Sequence, residues 1–172
     1  MWPFGKKKKK LDSAAKVSIT ETLHGVLVAH PRLEGAPVAV GTVTRTGDPC
    51  AFVKELRKTL LEDLGGEEGK VVLGYNASEM TLYLMLTFNY GQDSEEMKLI
   101  DEHLDFDMDS EDMLPGDITD VETRYILKQP LTELFFYAKN VEQKCLKEAA
   151  SRLVDYVFDW LDIIYEAFEE EF

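Results

Sequence analysis

With 172 residues, 45% of them apolar, the chain has the length of one domain and can bury a core without help from disulfides or metal. Its two cysteines, Cys50 and Cys145, form neither a disulfide framework nor a zinc signature and are expected as reduced thiols of a cytoplasmic protein, and no run of about 18 apolar residues is present to cross a bilayer as a helix. Asp and Glu number 33 against 19 Lys and Arg, a net charge of −14, which argues against nucleic acid as partner of the main domain because phosphate binding requires concentrated positive charge.

Residues 1–16 carry Lys6, Lys7, Lys8, Lys9, Lys10 and Lys16 against Asp12 and are expected to be a disordered basic segment. Trp2 and Phe4 precede the lysines, the reverse of a secretory signal. The pair suits weak contact with the inner face of an anionic membrane, with the aromatics at the interface and each lysine contributing about 1 kcal/mol. Residues 17–172 are expected to form a single α+β domain. Ser18-Ile19-Thr20-Glu21 matches a capping box, and Ile19, Leu23, Val26, Leu27 and His30 follow at helical spacing up to Pro31. The β-branched residues from Val17 onward and Gly25 permit a strand instead. Ala36 to Arg45, rich in Val and Thr, reads as a strand. Asp48-Pro49 opens a helix whose stripe is Phe52, Val53, Leu56, Leu60, Leu61 and Leu64, and Gly65-Gly66 ends it.

The plainest β pattern comes next. Met80, Leu82, Leu84, Leu86, Phe88 and Tyr90 alternate with Thr81, Tyr83, Met85, Thr87 and Asn89, and with Val71 to Tyr75 this predicts an antiparallel hairpin. From Ser94 a short helix places Met97, Ile100 and Leu104 inward. Asp105 to Asp117 is an acidic loop stopped by Pro115-Gly116, and Ile118 to Leu127 reads as a further sheet segment. Leu131 to Lys139 fits either a strand or a separate helix. Asn140 with Gln143 resembles a fresh cap before the last helix, Val141 to Phe168. The expected architecture is therefore a small antiparallel sheet packed by two or more helices, including the helix from Pro49 and the long C-terminal one.

Charge is concentrated in this second half. Residues 93–122 hold thirteen acids against Lys98, and residues 155–172 hold seven acids and no base. Asp105-x-Asp107-x-Asp109 resembles the opening of an EF-hand calcium loop. However, Ser110 stands where the turn needs Gly, Gly116 stands at the position of the bidentate Glu, and Pro115 interrupts the exit helix. The segment is read as solvated acidic surface, with no metal or other cofactor expected. His24, His30 and His103 are scattered, and Gly65-Gly66-Glu67-Glu68-Gly69 is a turn whose glutamates would repel a phosphate. On the C-terminal helix, Tyr156, Phe158, Trp160 and Tyr165 widen the apolar arc, meaning burial or a surface reserved for a partner. Together these features suggest a non-enzymatic protein-interaction module of inhibitor, chaperone or adaptor type for a basic partner. Its expected contacts are Asp105, Asp107, Asp109, Glu111 and Asp112, with Trp160 as an anchor if exposed. A membrane tether through Trp2, Phe4 and Lys6 to Lys10, or an enzyme assembled from distant residues, are the alternatives.

Overall fold

Along Thr81–Phe88 successive side chains go to opposite faces of a sheet, and from Leu82 to Leu86 both faces are buried. The computed structural model describes residues 13–33, 38–43, 71–104, 114–126 and 130–171. In chain order these form α1 (Ser13–Ala29), β1 (Val38–Val43), β2 (Val71–Asn76), β3 (Thr81–Phe88), α2 (Glu95–Glu102), β4 (Asp120–Tyr125), β5 (Thr132–Ala138) and α3 (Leu146–Glu171). Short 3-10 turns, Pro31–Leu33 and Gln143–Cys145, follow α1 and lead into α3.

The five strands run β1-β2-β3-β5-β4 across one sheet, with β3 in the middle. The α+β class is as the sequence predicts, and β2 and β3 make the expected antiparallel hairpin, Leu73 opposite Leu84. The sheet is mixed rather than wholly antiparallel, because β1 pairs with β2 in parallel, Val38 opposite Val71. A parallel pair needs a crossover of roughly a dozen residues or more, and the stretch 44–70 supplies that length. The helix predicted from Pro49 falls in this stretch, outside the described residues.

Three other expectations are refined. The first helix begins at Ser13, ahead of the capping box, so Ser18 sits within it and its carbonyl accepts the Thr22 hydroxyl at 2.8 Å. Ala14, Ala15 and Lys16 are good helix formers and carry the helix back past Ser18. The segment left open between strand and helix is β5. Leu134, Phe136 and Ala138 enter one core and Phe135 and Tyr137 another, so a strand buried on both faces reads as a continuous apolar run. Asn140 is not a helix cap. It takes a left-handed backbone, φ 63°, at the corner after β5, where Val141 N–H donates to the Met80 carbonyl at 2.8 Å. Tyr75 pins the same corner by donating its hydroxyl to the Val141 carbonyl at 2.6 Å.

The main core lies between one face of the sheet and the three helices. Helix α1 gives it Ile19, Leu23, Val26 and Leu27, and α2 gives Met97 and Ile100. Ser94 caps α2, its hydroxyl accepting the Met97 N–H at 3.2 Å, and Glu95 and Glu96 in the first turn favour the positive helix end. The opposite face carries a smaller buried cluster of Val72, Tyr83, Met85, Phe135 and Tyr137.

Candidate interaction surface

Helix α3 turns its apolar stripe inward, with Leu146, Ala149, Ala150, Leu153, Val154, Val157, Phe158, Trp160, Leu161 and Ile164 all buried. What remains points outward. Asp155, Asp159, Asp162, Glu166, Glu169, Glu170 and Glu171 are exposed, and no basic residue is interspersed among them. Two of these acids serve the fold. Arg32 bonds Asp162 and sets its guanidinium 5.6 Å over the Phe158 ring, while His30 stacks on Phe158 at 4.9 Å and approaches Asp155 with Nε2 at 3.4 Å. Both contacts lie on the side covered by α1 and the turn after it. Asp159, Glu166, Glu169, Glu170 and Glu171 have no ion-pair partner among the described residues.

On the side of α2 the negative charge continues. Glu95, Lys98, Leu99, Glu102 and Glu171 line an open groove of about 270 Å³, so three carboxylates face one ammonium group. Tyr90, edge-on to Phe168 at 5.9 Å, closes this end of the helix pair. Burial pushes its phenol above the ordinary range, and Glu96 and Tyr165 push it further.

The residues predicted to contact a partner are placed unevenly. Asp105, Asp107, Asp109, Glu111 and Asp112 lie outside the described residues, as do Trp2, Phe4 and Lys6 to Lys10. The described residues on either side of 105–113 are both fixed to α3. The His103 carbonyl, just before Leu104, accepts the Trp160 indole N–H at 2.5 Å. After Leu114, Gly116 rests on the Ala149 backbone with φ 93°, a left-handed conformation that only glycine takes without strain, and Asp117 bonds Arg152. Ala149 and Trp160 are about 16 Å apart along the helix at about 1.5 Å per residue.

Trp160, the anchor expected if exposed, is only 6% exposed, packed edge-on to Phe136 at 5.5 Å. Burial, the other reading of the wide apolar arc, holds for this ring. The outward apolar residues are instead Tyr156, Ile163 and Tyr165, each about half exposed. Ile163 was not singled out from the sequence. The signal was its place beside Ile164, since the inward stripe needs only one of the two.

A second polar group sits on the far face of the sheet. Glu122 accepts from Arg124 at 2.7 Å and from the Tyr137 hydroxyl at 3.1 Å, and Arg124 lies 5.9 Å over the Phe135 ring, directly across from Glu133 in the ladder. Burial and the Glu122 carboxylate hold the Tyr137 phenol protonated far above its ordinary range. A carboxylate bonded by both a guanidinium and a phenol suits a packed polar network more than proton transfer. No protein-family model matches this chain, and no curated protein is similar to it in sequence.

Proposed function

We propose that the protein is a non-enzymatic interaction module, of inhibitor, chaperone or adaptor type, whose acidic surface along α3 receives a basic partner protein. The observation that carries this reading is convergence. The acids of the last turns of α3, the carboxylates beside α2 and the described residues that flank 105–113 all lie along one helix. Charge of one sign gathered on one side raises the encounter rate with an oppositely charged partner and repels acidic competitors. Asp105, Asp107, Asp109, Glu111 and Asp112 contribute the steering charge, and the exposed acids of α3 extend it.

The experiment is affinity capture with the full chain at low and high salt, with the recovered proteins identified. Wild type is expected to recover proteins of high isoelectric point, lost as salt rises and reduced when the five acids of 105–112 become Asn or Gln. Recovery of no basic protein, or recovery unchanged by the five substitutions, would overturn the reading.

A further inference from the structure

The outward face of α3 holds two large apolar side chains that an acidic surface alone does not require. Tyr156 is 46% and Ile163 54% exposed. They are two helical turns apart on one stripe, about 10 Å along the axis. Asp159 sits between them on the same side, and Glu166 and Glu170 continue beyond Ile163, all exposed. This ridge already attracts a cation from within the molecule, since the Arg152 guanidinium lies 5.6 Å over the Tyr156 ring while bonding Asp117.

A stripe alternating apolar and acidic groups is complementary to one alternating apolar and basic groups. Resting on the interaction-module reading, we propose that the Tyr156 and Ile163 ridge is the seat for a basic amphipathic helix of the partner. Its apolar positions cover Tyr156 and Ile163, and its Lys or Arg residues reach Asp159, Glu166 and Glu170. Anchors two turns apart match the spacing at which a helix repeats its own apolar face. An extended polybasic strand would pair with the acids and leave both apolar groups in water. A second copy of the chain would bring acidic stripe against acidic stripe, which opposes it.

The test uses the full chain and two probe peptides of about 18 residues made of Leu and Lys, one with leucines at helical spacing and one with the same composition scrambled. Calorimetry is expected to give the patterned peptide an affinity about tenfold or more above the scrambled one. Replacing Tyr156→Ser and Ile163→Ser together is expected to remove that preference while leaving the scrambled peptide's binding unchanged. Both side chains are exposed, so an unchanged thermal midpoint checks that the fold persists. Equal affinity for the two peptides, or a preference that survives the double substitution, overturns the ridge while leaving the acidic surface standing. Loss of binding by both peptides overturns the acidic surface as well. A dimer in sedimentation that the double substitution dissolves assigns the ridge to a second copy and overturns the proposal.

Discussion

Gly74 and Tyr83 face each other across the hairpin, and the phenol ring lies over the glycine so closely that an added Cβ would overlap its outer edge. Tyr83 is fully buried, so the ring cannot move out into solvent without exposing apolar surface. Gly74→Ala is therefore expected to cost about 1–3 kcal/mol in urea unfolding, as overpacking does. Combining it with Tyr83→Leu should make the two losses less than additive, because the smaller side chain vacates the overlap. Strict additivity would show that the ring is not the obstacle. At Tyr137 the expected signature is pH dependence. Its folded phenol is raised above the ordinary value of about 10, so the native state holds a proton that the unfolded state releases, and stability falls as pH rises beyond that value. Tyr137→Phe should cost about 1 kcal/mol near neutrality by losing the bond to Glu122. Above pH 10 its stability should fall less steeply than that of wild type, and parallel unfolding curves from pH 8 to 11 would refute this.

At the scale of elements, α3 ends against its own dipole. Glu169, Glu170 and Glu171 occupy a helix C-terminus, where the partial charge is negative and cations are preferred. Changing all three to Gln is expected to raise unfolding stability, by about 0.3–1 kcal/mol for each charge at low salt, and to weaken binding of a basic peptide in the same protein. Stability that does not rise, or binding that does not weaken, would contradict that pairing. Elements with one clear period were legible in the sequence. Alternation marked β3, and Ser94 followed by Met97 and Ile100 marked α2, because in each a single spacing separated inside from outside. Period failed where both faces are buried, as in β5, whose apolar positions satisfy a spacing of two as well as three or four. It also could not rank the aromatics of α3. Trp160 and Tyr156 both widen the apolar arc, and only the packing of Trp160 against Phe136 and His103 decides which is inside. The parallel pairing of β1 and β2 is set between strands far apart in sequence, which no local pattern reveals.

For the whole molecule, the −14 net charge is organised by topology. Two acidic blocks lie apart in sequence, 93–122 and 155–172, and described residues on either side of 105–113 contact α3, whose outward side carries the second block. Both blocks are legible in the sequence, but the approach to α3 of the residues flanking 105–113 is not, because it depends on two long-range contacts, the Trp160 bond to His103 and the seat of Gly116 on Ala149. If the blocks form one surface, a basic ligand encounters a single site; if they are separate, it encounters two. The direct measurement is calorimetric titration of a lysine-rich peptide into three proteins: wild type, the variant with Asp105, Asp107, Asp109, Glu111 and Asp112 neutralised, and the variant with Asp159, Glu166 and Glu170 neutralised. One surface predicts one site per chain throughout, with Kd raised about tenfold or more by either set of substitutions. Two sites in wild type, with each variant losing one and keeping the other at unchanged Kd, would contradict it.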